Sequence, residues 1–294
     1  MGLQVHLVDG TYELFRYYYA LPDHINDEGM DVAATRGVVG TCLTLLEEGA
    51  THVGVATDHV IESFRNDLWP TYKDGSGVDP VLKAQFPLVE EALEAAGFLV
   101  WAMVECEADD ALGAGAHQLK DDKRVERVVI CTPDKDMGQC VTDDGRVVQL
   151  DRRKGQFFDR AGVIEKFGVP PESIPDWLAL VGDSADGFPG LTGWGAKSAG
   201  AVLAHYGRIE AIPPMADDWE VGVRGAGRLA QALRENLEDA LLFRRIATLE
   251  LDSITTSVEE LEWTGPTKAL VAMSERLDAP GLLERAVKLA EQRA

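Results

Sequence analysis

The spacing of apolar residues changes near residue 160, and this change constrains the fold more than any other feature. Before it, short β-rich runs alternate with helical patterns in which apolar residues recur every three or four positions. The runs are LQVHLVD (3–9), THVGVATD (51–58), FLVWAMVE (98–105), RVVICTPD (127–134) and RVVQLD (146–151). This alternation predicts an α/β fold with a mostly parallel, doubly wound sheet over 1–160. From residue 161 the pattern predicts helices punctuated by Gly and Pro, and therefore a small all-helical domain over 161–294.

Composition indicates a globular chain without membrane segments. It has 294 residues, is 46% hydrophobic and carries a net charge of −22. No apolar run approaches the roughly 18 residues of a membrane span, and the first residues lack the features of a signal peptide. Four cysteines without C-x-x-C spacing favour reduced, buried thiols and a cytoplasmic location; they are Cys42, Cys106, Cys131 and Cys140. The negative charge argues against a nucleic-acid partner, because such proteins usually carry a basic surface.

Acidic residues recur where the predicted strands end. They are Asp9, Asp58, Glu107, Asp109, Asp110, Asp134 and Asp136. Any one of them is more commonly a helix cap or loop residue, but seven at one sheet edge would repel one another without bound cations. Carboxylate ligands suit Mg²⁺ or Mn²⁺ rather than zinc. Two such ions about 4 Å apart are the usual device for cleaving phosphodiesters, because one activates water and the other stabilises the leaving oxygen.

The stretch GLTGWGAKSAG (190–200) is close to a P-loop but differs in one essential position. Ala196 separates Gly195 from Lys197, and the preceding segment is helical rather than a buried strand, which argues against ATP. A glycine-rich turn that opens a helix nevertheless presents backbone N–H groups to an anion. The stretch therefore predicts a phosphate contact, with a glycine-rich helix start that binds nothing as the alternative.

Five stretches together resemble a known family. VDGTYELFR, FRNDLWPTYK, ECEADDALG, TPDKDMGQCV and LVGDSADGFPGLTGWGAKSAG are similar, in sequence and order, to the successive motifs of the 5′ nuclease (flap endonuclease) family. That family includes the 5′ nuclease domain of bacterial DNA polymerase I, and the resemblance covers residues 3 to about 250. It implies a PIN-like nuclease domain over 1–160 with an arch region near 72–90. It also implies a DNA-binding helix-three-turn-helix module, followed by C-terminal helices, within 161–294.

The resemblance further implies an activity and its cofactors. The expected enzyme is a monomeric 5′-3′ exonuclease or flap endonuclease that acts on DNA with 5′ ends, flaps or branches. Two or more Mg²⁺ or Mn²⁺ ions would be bound by the seven acids together with Asp183 and Asp186. A potassium ion would lie at the hairpin of the helical module.

Individual roles carry over where this chain matches the motifs. The hairpin residues that would hold a duplex phosphate are Gly190, Gly193, Gly195, Lys197 and Ser198. Lys73 resembles the lysine that steadies the scissile phosphate, and Arg16 a basic residue that contacts substrate phosphates. Tyr72 resembles the aromatic residue beside the reactive nucleotide, although an ordinary half-buried tyrosine explains it equally well.

Two positions depart from the family pattern. The segment after Lys73 lacks the arginine that clamps the phosphate, for which Lys83 is a poor substitute because a lysine cannot bind in a bidentate way. Gly187 also lies where the family commonly has an asparagine, directly after its last acid. The missing arginine and the acidic composition leave open a DNA-structure-binding protein with weak or lost catalysis. A small RNA-cleaving PIN protein is a third alternative, which the helical segment after residue 161 disfavours. Retention of every acid favours the nuclease.

Overall fold

The computed structural model describes residues 2–293, which form two compact units. The first unit comprises Met1–Ile61, Gly75–Thr132 and Leu251–Ala294, and the second comprises Glu62–Asp74 and Pro133–Glu250. This division differs from the one predicted at residue 160, because residues 133–160 lie in the second unit and the last helices lie in the first. Those helices are anchored by buried hydrogen bonds: Trp263 Nε1 donates to the Ala96 carbonyl oxygen at 2.9 Å.

The helices follow the chain in an order that matches the predicted alternation. They are α1 (Gly10–Ala20), α2 (Ala33–Glu47), α3 (Phe64–Leu68), α4 (Pro80–Lys83), α5 (Gln85–Ala95), α6 (Ala108–Leu119), α7 (Arg160–Phe167), α8 (Ile174–Val181), α9 (Ala196–Tyr206), α10 (Ala226–Glu235), α11 (Leu237–Ala247), α12 (Val258–Leu261), α13 (Ala269–Arg276) and α14 (Pro280–Arg293). None of the helices within residues 2–293 is long and apolar enough to cross a membrane.

Parallel strands form the centre of the first unit. They are β1 (Leu3–Asp9), β2 (His52–Asp58), β3 (Leu99–Met103) and β4 (Val125–Cys131), in the order β3-β2-β1-β4. β1 pairs in parallel with both β2 and β4, and β2 with β3. Every residue of β2 is buried, as expected for a parallel strand covered by helices on both faces. The predicted parallel α/β arrangement is therefore present, with strand ends within a few residues of those expected.

Thiol positions follow the prediction only in part. Cys42 and Cys131 are buried in the first unit, as predicted. Cys106 and Cys140 are partly exposed: Cys106 lies in the turn that follows β3, and Cys140 is the last residue of a short 3₁₀ helix (Asp136–Cys140).

The second unit is mainly helical. Its strands β5 (Val147–Asp151) and β6 (Gln156–Phe158) form an antiparallel hairpin, of which only β5 was predicted. The helical pattern over 227–250 is interrupted at Asn236, where α10 ends and α11 begins. The core of this unit includes the stacked rings of Phe188 and Phe243, whose centroids are 5.7 Å apart. This core fixes the loop that follows α8.

Candidate active site

In the first unit, Asp9 and Asp58 are the last residues of two neighbouring parallel strands. Asp9 is buried: one carboxylate oxygen accepts the Tyr12 N–H at 2.8 Å, and the other accepts the Thr132 hydroxyl at 2.9 Å. Asp58 is also buried, and its Oδ1 accepts the Ala108 N–H at 2.7 Å. The sheet edge and the starts of α1 and α6 thus hold both carboxylates in fixed positions.

The start of α6 supplies the remaining acids of this unit. Glu107 is the N-cap residue, and its N–H donates to the Asp110 carboxylate at 2.9 Å. Glu107 and Asp110 are buried, whereas Asp109 is partly exposed. Carboxylates near a helix N-terminus are stabilised by the helix dipole, so part of this cluster is explained by capping. The structure places each of these acids at the strand or helix end that the sequence predicted.

In the second unit, three carboxylates converge in a geometry that fits a metal ion. One oxygen from each of Asp136, Asp183 and Asp186 lies within 4.8 Å of the others. Asp136 is the deciding residue, because its Oδ1 is buried and accepts no hydrogen bond from any residue within 2–293. A buried carboxylate oxygen without a donor is costly unless a cation binds it. An all-oxygen set of this kind suits a hard divalent cation.

The charges around Asp136 also favour a bound cation. Burial, followed by repulsion from Asp134, Asp186 and Asp183, raises the pKa of Asp136 well above its ordinary value. The positive charge of Lys135 opposes this shift only in part. The arrangement is therefore unfavourable for an ionised Asp136 unless additional positive charge is supplied.

Lys135 and Asp134 flank the converging carboxylates. Lys135 Nζ lies 2.5 Å from Asp183 Oδ2. Burial lowers the pKa of Lys135, but the hydrogen bond to Asp183 and the negative charges of Asp183, Asp136 and Asp134 together outweigh it, so the pKa lies above its ordinary value. Asp134 is exposed and accepts the Asp136 N–H at 3.0 Å. Lys135 is absent from the site residues predicted from sequence, although its position between two predicted ligands, Asp134 and Asp136, was the available signal.

A second lysine, Lys73, reaches the same acidic loop. Its ammonium lies 3.2 Å from Asp186 Oδ1, and its backbone N–H donates to the Asp186 carbonyl oxygen at 2.9 Å. Asn66 Nδ2 holds the other side of this segment by donating to the Lys73 carbonyl oxygen at 3.0 Å. Sequence reasoning missed Asn66, since nothing in the motif indicates which backbone group its amide would bind.

Gly187 explains one departure from the family pattern. Its φ is +83°, and a Cβ atom there would lie 2.0 Å from the Thr71 carbonyl oxygen. The Gly187 carbonyl oxygen accepts the Trp69 indole N–H at 3.1 Å and the Thr71 hydroxyl at 2.9 Å. The segment carrying Lys73 therefore lies too close to this loop for a larger residue.

The other predicted catalytic residues lie in different surroundings. Tyr72 is 5% exposed and packs in the core of the second unit, which favours its structural explanation. Arg16 is bound to the buried Glu13 carboxylate, and its guanidinium carbon lies 3.9 Å from the centroid of the Tyr17 ring. Lys83 is exposed at the end of α4.

The predicted hairpin forms the turn between α8 and α9. Gly190 has a φ of +66°, and a Cβ there would lie 2.4 Å from the Gly182 nitrogen, so glycine is required. Gly193 also has a positive φ, of +88°. The N–H groups of Thr192 and Gly193 have no acceptor within residues 2–293 and remain available to an anion.

The start of α9 completes the hairpin. Gly195 is the N-cap residue, and its N–H donates to the Ser198 hydroxyl at 3.1 Å. Ser198 is therefore engaged in capping the helix. Lys197 is exposed in the first turn of α9.

Comparison with family models shows to which family the chain belongs. The model of the 5′-3′ exonuclease N-terminal resolvase-like domain matches residues 4–168, and that of the 5′-3′ exonuclease C-terminal SAM fold matches residues 169–269. The chain belongs to the 5′-3′ exonuclease family. The predicted family resemblance is confirmed.

Curated relatives match nearly the full length of this chain. A 5′-3′ exonuclease of Aquifex aeolicus is 31% identical over 98% of this chain and 96% of its own length. DNA polymerase I of Pseudomonas aeruginosa is 32% identical over 97% of this chain, and that of Bacillus subtilis is 33% identical over 95%. The chain spans about a third of the length of these polymerases, 32% in each case.

Solved structures confirm the 5′-3′ exonuclease fold. A bacteriophage T5 flap endonuclease, in a pseudo-enzyme-product complex with DNA and metal ions, matches with a TM-score of 0.66 and 20% identity over 98% of this chain and 99% of that one. The catalytic core of Rad2 in complex with DNA substrate matches with a TM-score of 0.58 and 15% identity over 98% of this chain and 91% of that one. The predicted fold class, a mostly parallel PIN-like sheet followed by a helical helix-three-turn-helix domain, is confirmed.

Proposed function

We propose that this chain is a divalent-metal-dependent nuclease that hydrolyses DNA phosphodiesters at or near the 5′ ends of flaps, branches and recessed strands. The observation that carries this proposal is the convergence of Asp136, Asp183 and Asp186 within 4.8 Å, with a buried Asp136 oxygen that no donor satisfies. Membership of the 5′-3′ exonuclease family supports the reaction class.

The acids at the strand and loop ends would hold two or more Mg²⁺ or Mn²⁺ ions. The proposed ligands are Asp9, Asp58, Glu107, Asp109, Asp110, Asp134, Asp136, Asp183 and Asp186. Ions bound there would activate water and stabilise the leaving oxygen of an in-line displacement. Lys73 supplies a positive charge beside Asp186, suited to a non-bridging oxygen of the scissile phosphate. Arg16 and Lys83 are proposed to contact phosphates farther along the strand.

The hairpin over 190–200 would bind the duplex away from the reaction. Exposed Lys197 and the available N–H groups of Thr192 and Gly193 suit a backbone phosphate, which positions DNA without selecting sequence. A potassium ion at this turn belongs to the same proposal. We further propose that the protein acts as a cytoplasmic monomer. In functional terms, residues 1–160 would carry most of the metal ligands, while 161–294 would supply Asp183 and Asp186 together with the duplex contacts.

A cleavage assay with matched substrates tests the function. Purified protein with Mg²⁺ or Mn²⁺ is expected to cut a labelled 5′-flap or recessed 5′-end DNA, and EDTA is expected to abolish cutting. Asp136→Asn provides the inactive control, since it removes the metal-binding charge and keeps the shape. Binding of flap DNA without cleavage under any metal condition would support a DNA-structure-binding protein instead, and preference for an RNA flap would support an RNA-cleaving enzyme.

A further inference from the structure

A cleft of about 410 Å³ lies next to the hairpin, within the second unit. One wall includes Thr192 and Gly193 from the hairpin. The other includes Arg224, which lies just before α10, and the α10 residues Arg228, Gln231 and Glu235. The predictions from sequence assigned no role to any of the α10 residues. The cleft is therefore a feature that the proposed metal site and hairpin do not account for.

Packing fixes α10 against the hairpin. The indole N–H of buried Trp194 donates to the Leu229 carbonyl oxygen at 3.2 Å. A Cβ atom on Gly193 would lie 3.9 Å from Leu229 Cδ2, so the Leu229 side chain lies at van der Waals distance from this position of the turn. The position of α10 relative to the turn is thus determined by buried contacts, and the cleft has two defined walls.

The charges in the cleft favour an anion. Arg224 and Arg228 are both exposed, and neither side chain has a hydrogen-bond or ion-pair partner among residues 2–293. By contrast, Arg244 of the same unit binds both oxygens of Glu210 at 2.6 Å. Two arginines without acidic partners are unexpected in a chain of net charge −22, where carboxylates are abundant.

The remaining polar groups of the cleft do not neutralise this charge. The first turn of α10 contains no acidic residue, although the dipole of a helix favours acids there. Glu235 lies at the far end of the helix and accepts a hydrogen bond from Gln231 Nε2 at 2.8 Å. Arg228, Gln231 and Glu235 are three and four positions apart, so one face of α10 borders the cleft with its positive end nearest the helix start.

We propose that this cleft binds a second backbone phosphate of the duplex that the hairpin holds. An arginine guanidinium matches the geometry of a phosphate through two parallel hydrogen bonds, and the adjacent hairpin amides would bind a neighbouring phosphate of the same DNA. A nucleic acid fits better than an acidic peptide, because the cleft joins a turn whose N–H groups also suit phosphate. The proposal rests on the DNA-binding role of the hairpin proposed above.

Duplex binding at several salt concentrations tests this proposal independently of cleavage. Fluorescence anisotropy in Ca²⁺ would compare wild type with Arg228→Gln and with the Arg224→Gln, Arg228→Gln double variant. Each lost phosphate contact is expected to flatten the plot of log affinity against log salt by about 0.9. Affinity at low salt is expected to fall about tenfold per arginine, since a hydrogen bond to a charged group is lost. Melting temperatures should stay unchanged because both side chains are exposed.

Arg127→Gln is the matched control. Arg127 is exposed near the amino end of β4 in the first unit, and its loss changes the net charge equally. The proposal is overturned if the double variant binds duplex as the Arg127 variant does, if wild type does not bind duplex, or if the cleft variants weaken only binding of an acidic peptide. Wild-type protein that binds DNA through the cleft but never cuts it would contradict the proposed nuclease and leave the cleft supported.

Discussion

The ammonium of Lys73 lies 3.2 Å from a carboxylate oxygen of Asp186, while the Lys73 backbone N–H donates to the Asp186 carbonyl oxygen at 2.9 Å. The lysine is therefore held at the acidic cluster by both its main chain and its side chain. A cation bound by Asp186 would compete with the ammonium for that carboxylate. The ammonium could then turn toward a substrate phosphate while the backbone hydrogen bond keeps the segment in place.

Lys73→Gln should therefore impair the reaction more than the fold. We expect single-turnover cleavage of a 5′-flap to slow by roughly 10²-fold, the range seen when one charge-stabilising donor is removed from an active site. Flap binding and melting temperature should change little, because the main-chain hydrogen bond remains. A variant that cleaves at the wild-type rate would exclude Lys73 from the reaction.

Asp136→Asn should make the metal-free protein more stable at neutral pH. Burial and neighbouring carboxylates raise the pKa of Asp136 in the folded state, so the folded protein binds this proton more tightly than the unfolded chain does. The resulting stabilisation is present below the ordinary Asp pKa and is lost as pH rises through the raised folded pKa. Asparagine carries no ionisable proton, so the variant does not lose this stability as the pH rises.

Thermal melts in EDTA across a pH series check this linkage. At neutral pH the variant should melt higher, on the order of 2–4 °C for each kcal/mol of repulsion relieved. The difference should shrink toward acidic pH, where Asp136 is protonated in both states. Mg²⁺ should stabilise the wild type more than the variant. A variant that melts lower than wild type at neutral pH would contradict the predicted electrostatic strain.

Gly187→Ala should destabilise the protein and loosen the Lys73 segment. A Cβ at a φ of +83° costs roughly 1–2 kcal/mol, and contact with the Thr71 carbonyl oxygen at 2.0 Å adds about 1–3 kcal/mol of overpacking. Gly145→Ala is the control, because Gly145 has a φ of +71° but no atom within 4 Å of the added carbon. Denaturant unfolding should show a clearly larger loss in the free energy of unfolding for the Gly187 variant than for the Gly145 variant. Equal losses would show that the contact with Thr71 does not contribute.

Lys197→Ala tests the hairpin separately from the chemistry. Loss of one phosphate contact should weaken flap binding and flatten the log affinity versus log salt plot by about 0.9, with little effect on the rate of the bound complex. Base preference should not change, since phosphate contacts do not read sequence. Wild-type affinity and salt slope would make Lys197 an ordinary surface residue.

Local features of the fold and site were predictable from sequence. Asp9 and Asp58 end buried strands, and the alternation of strand and helix places such residues at the carboxyl edge of a parallel sheet. The start of α6 was equally visible, because Glu107 and Asp110 have the spacing of a helix N-terminus. In each case the signal lies within a few residues of the chain.

Relationships between distant segments were not predictable in this way. The contact of Lys73 with Asp186 and the requirement for glycine at 187 depend on a loop closure that periodicity does not encode. The packing of the last helices within the first unit depends on hydrogen bonds between residues far apart in sequence, such as that between Trp263 and Ala96. Sequence spacing alone therefore placed these helices with the preceding helical segment.

An anomalous-difference map from Mn²⁺-soaked crystals would show whether the converging carboxylates bind a divalent cation. We expect a manganese peak within bonding distance, about 2.0–2.3 Å, of oxygens from Asp136, Asp183 and Asp186, and its loss in Asp136→Asn. Clear density for these three side chains with no manganese peak among them, at saturating Mn²⁺, would contradict this expectation.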